Sequence, residues 1–562
     1  MLKNTLPENR QRRIPYPLAA FLIMITAFLI FSVPVRAEES NETAAEIDLE
    51  GTRYYDEAFN VLDIVNKKRT AEGRQNLVMD KALMECAMQR AAELAVYYSH
   101  TRPDGTDCFT IAKENRISYS TLGENIAAGY VSAEDVMDGW MNSEGHRSNI
   151  LDRDFKRIGI GVFVHEGIAY WVQLFADGTA NQASLPSNVT GIASVDVIPS
   201  CLGEAYLEID LEKKVGKKGT AGMYIANAGW SYVSFTPVSD EIRFSSSKTS
   251  VVTVDSSGAL KAVGGGKAVI SASLVDFPSV SASETVEISR KNASISFSSS
   301  SVTKSCSSAA FTITPEYNGN GTITYSSSDS KVAEVDETTG KVTVKGVGTV
   351  KITATASRTS VYNSASAKYT LKVNPSTPKL GKVTSAGYNK VKITWSKAKG
   401  AGGYNIYQKS DNGWKLIDTV KSDVTSCTHS SLTCGKTYTY TVKAFRKIND
   451  TTYKSGYDKN GISGKPVPAS PKLKDLTKKS GTSLQLTWEK VSGASGYVVY
   501  RKNSSGKWEK IKTITKPSIL SFTDKGLKKG TKYTYTVKAY RTVNEKKVYG
   551  TYNKNGISKT LK

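Results

Sequence analysis

The sequence predicts a multidomain chain: an α+β layered head followed by a row of all-β sandwiches. Three observations carry this. Residues 54–98 hold two helical-period stripes, and two strand-like runs follow at 157–164 and 169–176. The last third of the chain repeats itself at an offset of 93 to 95 residues. Between head and tail, two Ser-rich segments with Gly turns repeat more weakly. Helices followed by a small antiparallel sheet suggest a layered α+β domain, and repeats of this length suggest sandwiches.

The elements justify themselves in chain order. Lys3, Arg10, Arg12 and Arg13 precede an apolar run from Leu18 to Val33, and VRA ends at Ala37. That is the layout of a secretory signal peptide over 1–37, with a retained anchor as the alternative. Residues 38–54 read as a linker. In YYDEAFNVLDIVNKKRTAEG, Phe59, Leu62 and Val65, with Ile64 beside them, mark a helix that Gly73 stops. Asp80 can cap the next helix, whose stripe is Leu83, Ala87, Ala91, Leu94 and Ala95. RIGIGVFV and AYWVQLFA are strand-like and joined by HEGI, which leaves His165 in an exposed loop. Trp140, Trp171 and Phe175 read as core. Residues 181–205 read as a second linker.

The tail repeat pairs Trp395 with Trp488, Tyr404 with Tyr497, Tyr407 with Tyr500 and Trp414 with Trp508. Its Leu432…Tyr438 and Leu527…Tyr533 spacings fit a corner in which a Tyr hydroxyl bonds back to the chain. Segments 375–468 and 469–562 therefore resemble fibronectin type III domains. Upstream, FSSSKTSVVTVDSSGALKAVGGGKAVISAS parallels YSSSDSKVAEVDETTGKVTVKGVGTVKITATAS. Segments 206–290 and 291–374 resemble bacterial Ig-like domains of the group 2 kind, which are usually spacers or adhesive modules.

Charge is unevenly spread. The net charge is +23, yet residues 38–180 carry 14 Lys/Arg against 25 Asp/Glu, and residues 375–562 carry 38 against 10. The head is acidic and the tail strongly basic. An exported basic tail points to anionic cell-wall polymers or glycans and not to nucleic acid. Six cysteines exclude a disulfide scaffold. Two local pairs are open to bridging, Cys86 with Cys108 and Cys427 with Cys434.

Chemistry concentrates in the head. The chain has four histidines, and two of them, His100 in HTRPDG and His146 in GHRSNIL, flank Glu124 of GENIAAG. Two imidazoles and a carboxylate form a donor set suited to Zn²⁺ or another divalent metal, with positions left open for exchange. Metal and proton would then compete near neutral pH. The bland alternative is that these groups hydrogen-bond to one another and hold the loops together.

The ordered set VNKKR, HTRPDG, GENIAAG, Trp140 with HRSNIL, IGIGV and YWVQLF resembles the CAP superfamily, also called the SCP or cysteine-rich secretory, antigen 5 and pathogenesis-related 1 family, in its cysteine-poor bacterial branch. The likeness covers about residues 55–178 and places a CAP/SCP domain at 55–180. It implies an α-β-α sandwich whose cleft holds two His and two acids, often a divalent-metal site. His100, Glu124 and His146 match three places. The fourth is unsettled: Ser143 stands where the pattern has Glu, and Glu144 follows it. Asn125 reads as satisfying backbone groups. Gln173 faces the cleft or the core.

Three functions follow. The first is a secreted or envelope-associated, non-enzymatic binding protein with an unknown lipid or protein ligand in its head and a tail on anionic polymers. The second is a metal-dependent hydrolase or peptidase with Glu124 as general base, although no HExxH helix or recognisable nucleophile is present. The third is a structural adhesin.

Overall fold

A computed structural model describes residues 42–562, so the signal-peptide expectation for 1–37 lies outside the described residues. The described residues form two compact units, 42–291 with 360–362, and 292–359 with 363–562.

The first unit opens with strand β1 (Ala45–Arg53) and helix α1 (Tyr55–Ala71). Then come β2 (Val78–Met79), α2 (Lys81–Val96), α3 (Thr110–Glu114) and β3 (Leu122–Ala128). Helices α4 (Ala133–Met141) and α5 (Glu144–Leu151) lead into β4 (Arg157–His165), β5 (Ile168–Ala176) and β6 (Val189–Val197). The sheet order is β3-β5-β4-β1-β6, with β2 parallel to β4.

Two of these strands correct the linker expectations for 38–54 and 181–205. β1 and β6 pair in antiparallel register from Ala45↔Val197 to Arg53↔Val189. The signal is a period-two pattern: Ile47 and Leu49 in β1, and Ala193, Val195 and Val197 in β6, are buried. Each run is short, and its partner lies more than a hundred residues away, so no local pattern joins them.

The sheet separates two layers of helix. β4 and β5 alternate faces. Ile158, Ile160, Val162, Trp171 and Phe175 pack with α1, α4 and α5, while Tyr170, Val172 and Leu174 pack with α2. Gly159 and Gly161 face α2, and a Cβ on Gly161 would stand 2.0 Å from the Ala87 carbonyl oxygen. These glycines let α2 rest directly on the strand. Asp80 caps α2 by accepting from the amides of Ala82 and Leu83, both at 3.1 Å. α1 buries Tyr55, Ala58, Val61 and Val65. Of the expected stripe, Val65 is fully buried, while Phe59 and Leu62, with Ile64 beside them, are partly buried. Glu166 and Gly167 form a two-residue β4–β5 turn with φ of 48° and 82°, the left-handed pair that suits the twist of a hairpin. His165 corrects the exposed-loop reading. It is buried, with Nδ1 2.9 Å from the Glu50 carbonyl and Nε2 accepting from the Thr236 amide at 3.3 Å.

The first Ig-like segment follows with β7 (Leu202–Leu211) and β8 (Lys218–Asn227), paired with Val252–Val254 and Ala259–Ala262 in one sheet. Ile242–Ser246, Gly266–Leu274 and Ser281–Ile288 form the other. Its Met223, Ile225 and Phe235 belong to the same apolar core as Leu94, Ala95 and Val172 of the head. Head and first sandwich are therefore packed as one body.

The second unit holds three sandwiches. Its Ig-like part has a four-stranded sheet containing Gly348–Ala356 and Ala365–Asn374. Each remaining part has a three-stranded and a five-stranded sheet. Trp395 and Trp488 are buried against Tyr404 and Tyr497, at 5.6 and 5.5 Å between ring centroids. Both Tyr corners form: the Thr433 amide donates to the Tyr438 hydroxyl at 2.9 Å, and the Lys528 amide to the Tyr533 hydroxyl at 2.8 Å. His429 is not solitary, since its Nδ1 lies 3.0 Å from the Tyr440 hydroxyl.

All six cysteines are buried and free. The two bridge expectations are corrected accordingly. The Cys86 thiol instead reaches the Ile111 carbonyl oxygen at 3.7 Å, and the Cys427 thiol reaches Asp418 Oδ2 at 3.1 Å.

Candidate functional site

The site forms along β3, an edge strand, where neighbouring side chains point to opposite faces. Glu124 and Asn125 are consecutive and both buried. Glu124 meets α2 and the loop after it, and Asn125 meets α5. The edge strand is thus where His100 and His146 are reached from one backbone.

Both Glu124 oxygens are engaged. Its Oε2 is 2.6 Å from His100 Nδ1, and its Oε1 accepts from Arg90 Nε at 2.9 Å. Arg90 is itself buried and donates to Glu93 at 2.7 Å and to the Ser99 carbonyl at 2.9 Å. Glu93 also accepts from Arg102, which reaches Glu114. A ladder of alternating charge runs behind the imidazole. Burial by itself would raise the Glu124 carboxyl, but Arg90 first and His100 second outweigh it and hold it below the ordinary carboxylate range. An ionised carboxylate only accepts, so His100 Nδ1 is the donor to Glu124 Oε2.

His146 sits half-buried in α5. Burial, then His100, hold its imidazole below its ordinary range. Asn125 Nδ2 donates to the His146 carbonyl at 3.1 Å and to Gln173 Oε1 at 2.9 Å. Asn149 of α5 donates to Asn125 Oδ1 at 2.9 Å and to the Glu124 carbonyl at 3.3 Å. Asn125 and Gln173 are therefore a buried clamp that fixes α5 against β3 and β5. Ser143 is the residue before α5, and its hydroxyl makes no capping bond. Glu144 is exposed in the first turn of α5.

Among the described residues, the ligand atoms that converge within 4.8 Å are those of His100, Cys108 and Glu124. His146 and Glu144 stand outside that set. As built, this inner cluster does not suit a metal. Burial, then Glu124, push the Cys108 thiol up, whereas a ligating cysteine must lose its proton. Each Glu124 oxygen already accepts one charge-assisted hydrogen bond, from His100 and from Arg90. The outer donors fit better: a carboxylate on Nδ1 is the arrangement that orients an imidazole for ligation through Nε2. Arg90, Glu93, Arg102 and Asn149 escaped the sequence reading. The available signal was Arg90 and Glu93 lying three apart inside the apolar stripe of α2.

The first Ig-like segment reaches this site. Asn227 Nδ2 donates to the Leu94 and Ala95 carbonyls at 2.8 and 3.0 Å, closing the C-terminal end of α2. Its Oδ1 accepts from the Tyr98 amide at 2.8 Å. Trp230 packs on Tyr98 with ring centroids 5.6 Å apart. Tyr98 is two residues from His100.

The chain carries a segment that matches the CAP family, with segments behind it that match Ig-like and fibronectin type III domains. The cysteine-rich secretory protein family (CAP) matches residues 62–175, the intimin immunoglobulin-like domain residues 317–358, and the fibronectin type III domain residues 469–549. The chain is 35% identical over 144 residues to the uncharacterized protein YkwD of Bacillus subtilis, covering 25% of this chain and 54% of that one. It is 30% identical over 176 residues to chitinase A1 of Niallia circulans, covering 29% of this chain and 23% of that one. The chain thus spans about half the length, or less, of these curated relatives. A solved extracellular protein containing an SCP domain from Bacillus anthracis is 26% identical, with 22% of this chain and 41% of that one covered and a TM-score of 0.21. Among the described residues no helix is long and apolar enough to cross a membrane.

Proposed function

We propose that this is an extracellular, non-enzymatic binding protein. The His100 and His146 imidazoles take up an exchangeable divalent cation, Zn²⁺ or similar, and with it a lipid or protein ligand. The basic fibronectin type III pair associates with anionic envelope polymers. The observation that carries the reading is the double engagement of Glu124. A carboxylate paired with a buried guanidinium is a poor general base, while one that holds Nδ1 is a good orienter of a ligating imidazole.

The test is calorimetric titration of Zn²⁺ into the full chain and into its His100→Ala, His146→Ala double variant, at about pH 7.5 and about pH 5.5. Micromolar or tighter uptake is expected, lost in the variant and weakened at the lower pH. Equal uptake by both proteins would remove the imidazoles from the reading. Zn²⁺-dependent cleavage of a peptide library, present in the parent and absent in the variant, would replace binding by hydrolysis.

A further inference from the structure

Within the second unit, a cleft of about 580 Å³ opens between the Ig-like sandwich and the first fibronectin type III domain. Its rim carries Lys331 and Lys345 from one wall, and Lys399 and Arg446 from the other. Lys345 is paired with Glu334 at 2.7 Å. Lys331, Lys399 and Arg446 have no carboxylate ion-pair partner among the described residues. The one rim carboxylate, Asp329, is engaged by its own turn, accepting from the Lys331 amide at 2.9 Å.

The walls are held together. Tyr453 of the fibronectin hairpin is buried in the Ig-like core beside Cys306 and Val347. Its hydroxyl lies 2.9 Å from Thr349 Oγ1. The Lys399 amide donates to Ser376 Oγ at 2.8 Å, and the Ser376 amide donates to the Lys399 carbonyl at 2.9 Å. Outside the cleft lining, the Lys372 ammonium lies 5.7 Å from the Tyr453 ring centroid. Both Lys399 and Arg446 act on the buried Cys306 thiol, partly opposing the upward push of burial. Four cations against the Asp329 carboxylate and the Glu334 partner of Lys345 leave the fixed rim net positive, and the excess focuses a positive field that an anion relieves.

We infer that this cleft binds a segment of a polymer whose repeating charge is a phosphodiester. The inference rests on the proposed association with anionic polymers and assigns it a place. The cations are exposed and come from separate segments around an open floor, which suits a chain lying across the rim better than one enclosed phosphate. Lys supplies point charges to phosphate oxygens and Arg a forked donor.

The experiment measures binding of poly(glycerol phosphate) to the full chain. It compares a cleft variant (Lys331→Ala, Lys399→Ala, Arg446→Ala) with a control (Lys474→Ala, Lys478→Ala, Lys479→Ala) that removes equal charge from the exposed face of the last domain. Unchanged thermal melting establishes that both variants fold. Affinity is expected to fall about tenfold or more in the cleft variant and less than about twofold in the control. Equal losses, or a loss confined to the control, would overturn the cleft while leaving the basic-tail reading standing. No binding by the parent chain would overturn the phosphodiester assignment. Inorganic phosphate matched in phosphate concentration and ionic strength should not displace the polymer. Complete displacement would mean a site for one isolated phosphate and overturn the polymer assignment.

Discussion

Asn227, at the end of a strand in the first Ig-like domain, accepts the Tyr98 amide at 2.8 Å and so fixes the segment that carries His100. The same side chain donates to two carbonyls at the end of α2. Asn227→Ala orphans these buried groups, each costing about 1–3 kcal/mol when left unpaired. Urea unfolding of the first unit's transition should show a loss of roughly 2–4 kcal/mol. A loss below about half a kilocalorie would mean water replaces the side chain freely. For the same reason, a fragment ending at residue 180 should be less stable than one ending at 291, because it also lacks β6.

Arg90→Met should be among the most damaging substitutions in the head. It leaves Glu93 and Glu124 buried with part of their counter-charge gone. Breaking a buried pair from one side costs about 3–5 kcal/mol. Denaturant unfolding measures it directly. A triple change that also makes Glu93 and Glu124 into Gln should recover part of the loss, since it removes the stranded charges.

Stability should fall as pH drops, in two stages. His146 has a folded proton affinity held down by burial and His100. The unfolded chain therefore binds its proton first, and stability declines as pH falls below about 6.5. Glu124 is depressed by Arg90 and His100 acting against burial. Its contribution is complete above the unfolded value of about 4.3 and is lost as pH falls through the lower folded value. His429 is also held down by burial and contributes with the same sign as His146. Melting temperature against pH for His146→Gln, in a His429→Gln background, should lose the upper stage and keep the lower.

The thiols should be silent until the protein unfolds. All six are buried, and burial first pushes Cys86 and Cys427 up to about 12. Iodoacetamide should leave the native chain unlabelled. After denaturation without reductant it should add six groups by mass. Four adducts would restore one of the bridges expected from sequence spacing.

The sequence by itself determined the architecture of this protein. The tail repeat, the Gly-turned repeat and the helix stripes are local patterns, and local periodicity reports which face an element buries. His100, Glu124 and His146 were legible because histidine is so scarce here. Tertiary structure alone decided what they do. It brought Arg90 and His100 to opposite oxygens of one carboxylate. It turned Asn125 and Gln173 inward as a clamp. It recruited β1, β6 and Asn227 from outside the expected head. Each of these is a pairing between residues far apart in the chain. The partners of a buried polar group are set by where the backbone brings them, and no local pattern of residue types records that.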